Sequence, residues 1–229
     1  MKIKNPKKII ASILLVYILL LVYFTASEIL EKPKIAKQIT GSSVGIVGIN
    51  LVSQCSMNLV PGFNLISICA NATNLSVAKI LEDLEGKYEF VLRWNTSTQE
   101  FDTYSPEAEF ETNGFGSFEL NESYLIYMKE AKILTILGEE LEDLNISLIE
   151  EYNAPSYPYT FTGNVTRYLA DIISDVAFLS RWNASRQEFD TYSPEAAENP
   201  FYTIPKGEGQ FIYMIYPAVL SYNKTDLRS

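Results

Sequence analysis

A stretch of sixteen residues occurs twice in this chain with almost no change. Residues 93–108 return as residues 181–196, and fourteen of the sixteen positions are identical at a constant offset of 88. Both tryptophans of the protein lie in these copies. Self-similarity of this kind is the sequence signature of tandem structural repeats. The chain of 229 residues therefore predicts two small modules, over residues 55–140 and 141–229.

The pattern around each copy predicts one helix followed by strands. In the first copy, residues 77–84 carry apolar side chains spaced three and four apart, which marks one face of a helix. Residues 88–94 then alternate apolar with other side chains, which is typical of a half-buried strand, and residues 99–104 form the return strand. Two more strands are predicted over residues 124–128 and 132–137.

The second copy repeats this order, so we expect equivalent residues to fill equivalent core sites: Val77 and Val165, Leu81 and Leu169, Phe90 and Phe178, Trp94 and Trp182. It departs at its start, where no counterpart of the run from Pro61 to Ser67 is found. The predicted fold class is α+β. An N-terminal transmembrane helix precedes two tandem modules, each a mostly antiparallel sheet with one covering helix.

The N-terminus combines a basic start with a long apolar run. Residues 1–8 hold four lysines and form the predicted cytoplasmic tail, and residues 9–27 are long enough to span most of a bilayer as an anchor. Residues 28–54 are interpreted as a stalk and first strand. A cleaved signal peptide is the alternative, and it would give a secreted protein. Both interpretations place the modules outside the cytoplasm, with the membrane as a partner of the anchored form.

Eight of the 15 asparagines begin an Asn-x-Ser/Thr sequon, and none of the eight precedes residue 70. Sequons are acceptors for N-glycosylation in exported proteins. Asn, Ser and Thr also gather in turns for local hydrogen bonding, which is the alternative explanation. The predicted glycosylation sites are Asn71, Asn74, Asn95, Asn121, Asn145, Asn164, Asn183 and Asn223.

Composition disfavours several function classes. Residues 28–229 carry 14 basic and 28 acidic side chains, and such an acidic surface repels nucleic acid. The chain has no histidine, which removes the commonest general base and metal ligand, and two cysteines are too few for a structural zinc site of His and Cys. We therefore expect neither an enzyme nor a cofactor, and an envelope enzyme that uses carboxylates alone is the disfavoured alternative.

The two cysteines, Cys55 and Cys69, lie seven residues on either side of Gly62. Pro61-Gly62 between apolar runs predicts a hairpin turn, which would place the cysteines across from each other on paired strands. We predict a disulfide between them, because an extracellular compartment permits oxidation. Two buried free thiols are the alternative.

Acidic and aromatic residues of the repeat are candidate site residues with simpler structural explanations. Paired acids at 100, 102 and 107 recur at 188, 190 and 195; we interpret them as a solvated strand face, with calcium binding as the alternative. Four rings offer a platform for sugars, although strand alternation favours a core position for the first: Trp94, Tyr104, Trp182 and Tyr192. Gly207 and Gly209 predict a tight turn before a strand.

The motifs resemble a repeat module of archaeal cell-surface and S-layer-associated proteins. The matching residues are Pro61 to Ser67, Trp94, Phe101, Tyr104 and Pro106 in the first copy, and Trp182, Phe189, Tyr192, Pro194 and Gly207 to Ile212 in the second. The likeness covers roughly residues 57–222; the first copy lacks the glycine pair and the second lacks the opening run. It implies an extracellular structural or adhesive role at the cell envelope, with other envelope proteins or glycans as partners. A glycan-binding module that uses exposed aromatics is the alternative.

Overall fold

The computed structural model describes residues 53–109, 112–141 and 143–222. All of these residues belong to one compact unit. The predicted tail, anchor and most of the stalk lie outside the described residues. Within those residues, no helix is long and apolar enough to cross a membrane.

Repeat 1 consists of two antiparallel sheets. Strands β1 and β6 form a two-stranded ribbon, and the other four strands form a sheet in the order β2-β5-β3-β4. The elements are β1 (Ser53–Leu59), β2 (Gly62–Ser67), α1 (Val77–Ile80), a 3₁₀ turn (Glu82–Leu84), β3 (Tyr88–Asn95), β4 (Glu100–Tyr104), β5 (Ser123–Met128) and β6 (Lys132–Gly138).

Repeat 2 has the same topology. Strands β7 and β14 form its ribbon, and its four-stranded sheet has the order β8-β13-β10-β11. A short pair, β9 with β12, is added beside the helix. The elements are β7 (Leu144–Leu148), β8 (Glu151–Asn153), β9 (Gly163–Asn164), α2 (Val165–Tyr168), a 3₁₀ turn (Ile173–Asp175), β10 (Val176–Asn183), β11 (Glu188–Tyr192), β12 (Thr203–Ile204), β13 (Gln210–Met214) and β14 (Ala218–Tyr222).

The α+β prediction is wrong, because the part of the chain that the structure describes is mostly β, with 49% strand and 9% helix. Each α-helix has only four residues and is followed by a separate 3₁₀ turn, after one residue in repeat 1 and after four in repeat 2. The apolar stripe of residues 77–84 is nevertheless buried, since Val77, Leu81 and Leu84 are at most 1% exposed. The sheet is covered mainly by the β1–β6 ribbon, whose inward side chains join the same core: Cys55, Met57, Leu59, Leu134 and Ile136.

A β-bulge in β3 changes which side chains reach this core. Tyr88 pairs with Met128 but Phe90 pairs with Tyr127, so β3 carries one extra residue there. A bulge of this kind turns the following side chains to the opposite face. Tyr88 is therefore buried in the core, while Phe90 lies half-buried on the other face.

The same bulge occurs in β10, so corresponding residues of the two repeats have equivalent positions. Only some of the four residue pairs predicted from the sequence lie in a core. Val165 and Leu169 are fully buried like their counterparts in repeat 1. Phe178 is half-buried, as Phe90 is. The prediction that all four pairs fill the core inside each module is wrong for the aromatic pairs, whose rings lie on the side of the sheet that meets the other repeat.

The disulfide between Cys55 and Cys69 is confirmed, with Cα atoms 5.8 Å apart and both residues fully buried. The predicted hairpin is wrong, because β1 pairs with β6 and β2 pairs with β5. The turn at residues 60–62 instead carries the chain from the ribbon to the sheet. The disulfide therefore links two packed layers.

Repeat 2 does possess a counterpart of this turn, which sequence comparison missed. Asn64 closes the first turn by accepting from the Val60 N–H (2.9 Å) and donating to the Val60 carbonyl (2.8 Å). Asn153 makes the same two bonds with Ile149, at 3.0 and 2.8 Å. The first residue of the following strand has positive φ in both turns, 90° at Gly62 and 75° at Glu151. The backbone geometry is retained although only the asparagine is shared.

Candidate functional site: the seam between the repeats

The seam is defined here as the two contacts that β2 and β8 each make with the opposite repeat. At Phe63 of β2, side chains of repeat 2 form a set of hydrogen bonds that is called the clamp below. Gln187 of repeat 2 accepts from the Phe63 N–H through Oε1 (2.8 Å) and donates to the Phe63 carbonyl through Nε2 (3.0 Å). Trp182 Nε1 donates to the same carbonyl at 2.7 Å. One glutamine and one tryptophan therefore bind both backbone polar groups of a buried residue in the other repeat.

The clamp is reciprocal. Gln99 of repeat 1 accepts from the Tyr152 N–H (3.2 Å) and donates to the Tyr152 carbonyl (2.9 Å). Trp94 Nε1 donates to that carbonyl at 3.0 Å. Each repeat thus contributes the same two side chains to hold the second strand of its neighbour, β2 or β8. The two repeats are related across the seam in the way that identical subunits are related in an isologous dimer.

Backbone hydrogen bonds close the centre of the seam. Ser67 N donates to the Gly207 carbonyl (2.9 Å), and Gly209 N donates to the Leu65 carbonyl (3.0 Å). On the other side, Ser123 N donates to the Ala154 carbonyl at 2.8 Å. A Cβ at Gly207 would lie 2.5 Å from Met57 Sδ, so this close approach requires glycine. The predicted turn at the glycine pair is present and serves to bring repeat 2 against repeat 1.

The four rings considered as a sugar platform are largely packed. Trp182 and Tyr192 are 6% exposed and Tyr104 is 9% exposed, while Trp94 is half-buried. The tryptophans stack edge-on against rings of their own hairpins, with centroids 4.9 Å apart for Trp94–Phe101. These rings stabilise the seam and the cores and leave little area for a ligand.

The repeated acidic residues do not form one solvated face. Asp102 bonds Arg93 at 2.7 Å, and Asp190, which is 7% exposed, is paired with both Arg181 and Arg186. The solvated interpretation holds for the exposed side chains at 100, 107, 188 and 195. Among the described residues, no three acidic or cysteine side chains converge as a metal site would require.

A cleft of about 350 Å³ opens along the seam between repeat 1 and repeat 2. Its wall mixes apolar side chains with polar groups at 56, 58, 64, 206 and 208. Glu208 is the acidic group of this cleft, and burial raises its pKa to about 7, with Arg181 opposing the rise and Asp190 adding to it. The lining residues are Ser56 to Leu59, Asn64 to Ile66, Trp182, Ala184 and Pro205 to Glu208.

Polar atoms near this cleft lack partners. Glu208 Oε1 is buried and accepts no hydrogen bond, although Arg181 Nε lies 3.9 Å away. Both amide atoms of Gln210, two residues further along, are also buried without a partner. Buried polar groups of this kind are rare in folded proteins and call for an explanation.

Sequon asparagines differ in how freely they present their amide nitrogen. Asn95 donates from Nδ2 to Asp102 (3.4 Å), and Asn183 donates to Asp190 (3.3 Å), so both are engaged and only half-exposed. Asn223 lies outside the described residues. The exposed sequon asparagines are Asn71, Asn74, Asn121, Asn145 and Asn164.

Sequence analysis missed the clamp glutamines, Gln99 and Gln187, although a signal was present. Both copies keep glutamine there, while the adjacent position changes from Thr98 to Arg186 on the exposed surface. Their positive φ values of 57° and 55° are uncommon for a residue with a Cβ and coincide with this role. No protein-family model, no curated protein and no solved structure matches this chain.

Proposed function

We propose that this protein is a membrane-anchored extracellular glycoprotein with a structural or adhesive role at the cell envelope. The observation that carries the proposal is the reciprocal clamp. It joins two repeats into one body through six side-chain hydrogen bonds to backbone groups, as a load-bearing or spacing element requires. In this proposal residues 9–27 hold the protein in the membrane, with release after cleavage as the alternative.

Two features of the described residues support an extracellular location. The disulfide between Cys55 and Cys69 is fully buried in the core, and disulfides of this structural kind persist in oxidising compartments. Five sequon asparagines are exposed on the surface, where a glycan would project into solvent without displacing core side chains. The resemblance to archaeal cell-surface repeats agrees with this location and remains a prediction.

The orientation is tested with epitope tags on intact cells of the producing organism. A tag after Ser229 is expected to be accessible to antibody and protease, and a tag before Met1 is expected to be protected until the cells are opened. Accessibility of neither tag would refute the extracellular location.

The envelope role needs a separate measurement. Cells that lack the protein are expected to lyse more readily under osmotic shock, and the full chain is expected to restore resistance. The matched control is a chain with Gln99→Ala and Gln187→Ala together, which keeps the anchor and the sequons but weakens the clamp. Equal rescue by this variant would show that the clamp does not carry the role.

A further inference from the structure

Each repeat has one end that is formed by two turns lying side by side. In repeat 1 the turn at 60–61 connects β1 to β2 and the turn at 129–131 connects β5 to β6. These turns are neighbours, because β1 pairs with β6 and β2 pairs with β5. The turns at 149–150 and 215–217 are neighbours in repeat 2 for the same reason. The two pairs of turns are called the repeat 1 end and the repeat 2 end below.

The two ends lie on opposite sides of the molecule. Gln187, in the turn between β10 and β11, bonds Phe63 beside the repeat 1 end. The repeat 2 end lies at the other end of β10, where Val176 pairs with Met214. Because β10 has eight residues, roughly 25 Å separates its first residue from its last. The two ends of one molecule therefore do not meet each other.

The repeat 2 end presents apolar side chains to solvent. Ile215 and Tyr216 are exposed in one turn, Tyr216 by 61%, and Ile149 is exposed in the other. Val219, the second residue of β14, is also exposed. Four of the seven large apolar side chains that are exposed among the described residues thus lie at this end. Single exposed apolar residues are normal, but a cluster of them marks an interaction surface.

The equivalent turn of repeat 1 is charged. It contains Lys129, Glu130, Ala131 and Lys132, and the Lys87 carbonyl accepts from the Lys129 N–H at 2.8 Å. Glu130 forms ion pairs with Lys87 (3.1 Å) and Lys132 (3.5 Å). Of the five lysines among the described residues, three lie at this end. The two repeats therefore keep the same backbone here and differ in surface chemistry.

The charges of the two ends are complementary. Three segments of repeat 1 hold three lysines and two glutamates, and these segments are residues 60–62, 85–87 and 129–132. Their equivalents in repeat 2 hold three acidic residues and no basic one, and these are residues 149–151, 173–175 and 215–218. An apolar surface with an acidic rim is repelled by anionic lipid and attracted by a lysine-bearing surface. The chain carries a surface of the second kind at its own opposite end.

We propose that the repeat 2 end of one molecule docks against the repeat 1 end of a second copy of this chain. Ile215 and Tyr216 pack against the turn at Val60 and Pro61 and against the aliphatic stems of the lysines, while the acidic rim faces the ammonium groups. Each copy keeps one unused end of each kind, so the contact is head-to-tail and extends into a row of copies. It depends only on the folded repeats and not on the location proposed above.

The test is disulfide trapping between full chains, because two turns bury less than a standard interface and hold copies together only transiently. Pro217→Cys in a chain with one tag and Ala131→Cys in a chain with another tag place single thiols in the two ends, and the native cysteines are already joined in a buried disulfide. Cells that produce both chains are opened and oxidised with copper phenanthroline, and the products are separated without reductant. We expect a mixed dimer of the two tagged chains and no dimer when either variant is produced alone.

Two other results would overturn the proposal. Dimers of the Pro217→Cys chain alone would show a symmetric contact between two apolar ends. Absence of the mixed dimer would mean that a lipid surface or an unrelated partner covers the repeat 2 end.

Two variants and a control locate the contact. Ile215→Lys together with Tyr216→Glu gives the turn the residues that repeat 1 has there, so the chain is expected to fold. The yield of mixed dimer should then fall by at least about tenfold, as expected for the loss of two buried apolar side chains. Lys129→Glu in the second chain should also lower the yield, because it places an acid opposite the acidic rim. Leu137→Lys changes an exposed apolar residue at the far end of β6 and should leave the yield unchanged. Unchanged yield in both end variants, or an equal loss in the control, would refute the assignment.

Discussion

Replacing Gln187 by alanine tests the clamp most directly. The change removes both bonds to Phe63 and one to the Ala184 carbonyl. Phe63 is 5% exposed, so its N–H loses its partner in a place that water reaches poorly, which costs about 1–3 kcal/mol. The Phe63 carbonyl keeps its bond from Trp182. The lost bonds at the carbonyls add about 1 kcal/mol, so we expect a loss of about 3 kcal/mol in the free energy of unfolding.

Gln99→Ala is the matched variant in repeat 1, and we expect it to cost about half as much. It removes the corresponding bonds to Tyr152, but the N–H bond is longer, at 3.2 Å, and Tyr152 is half-buried. Water can therefore replace part of what is lost. The residue before each clamped residue also differs between the repeats. It is Gly62 before Phe63, where a Cβ would lie 2.5 Å from Gln187 Oε1, and Glu151 before Tyr152.

The assay is urea denaturation of the chain without residues 1–27, followed by fluorescence and circular dichroism. Glycine variants at the same positions separate side-chain loss from backbone strain, because glycine relieves the cost of positive φ, roughly 1 kcal/mol, while alanine does not. A loss below about 0.5 kcal/mol for Gln187→Ala, within the range of ordinary surface changes, would contradict the clamp.

Three further predictions concern other parts of the structure. The pKa of Glu208 is raised from 4.5 to about 7, so between these pH values the folded state keeps a proton that the unfolded state has lost. The free energy of unfolding should therefore fall by on the order of 3 kcal/mol as the pH rises through this range. Glu208→Gln should remove this pH dependence. Reducing the Cys55–Cys69 disulfide, which encloses a short loop of sequence separation 14, should cost on the order of 3 kcal/mol at most, measured as a shift of the urea midpoint; an unchanged midpoint would show that the bond does not constrain the fold. Trp182→Ala should cost about 3–5 kcal/mol in the same assay and Trp94→Ala clearly less, because Trp182 is buried and Trp94 is half-exposed; equal losses would argue against this placement.

The repeat could be recognised from the sequence because internal identity needs no structural context. The same holds for the buried stripe of Val77 and Leu81, whose spacing follows from helix geometry alone. The pairing of Cys55 and Cys69 was also predictable, since the chain has no other cysteine. In each case the information is carried by residue identity and local spacing.

The partners of the strands could not be predicted in the same way. Pro61-Gly62 indicates a turn, but nothing local shows that β1 and β2 leave it for different sheets, because that choice depends on β5 and β6, far along the chain. The extra residue near Phe90 is equally hidden, since an alternating pattern looks the same with or without a bulge. These errors hid the β1–β6 ribbon as a separate layer, whereas the α+β expectation failed because each helix has only four residues.

The sequence by itself determined that two equivalent units exist and that the two cysteines of the first unit pair with each other. Only the tertiary structure decided that the units clamp each other, because the bonds from Gln99 and Gln187 join residues 53 and 124 positions apart. It also decided the difference between the repeats at Tyr124 and Gln210. In the sequence, glutamine at 210 in place of the tyrosine at 124 is one polar residue exchanged for another. Only the packing shows that both amide atoms of Gln210 are buried without a hydrogen-bond partner.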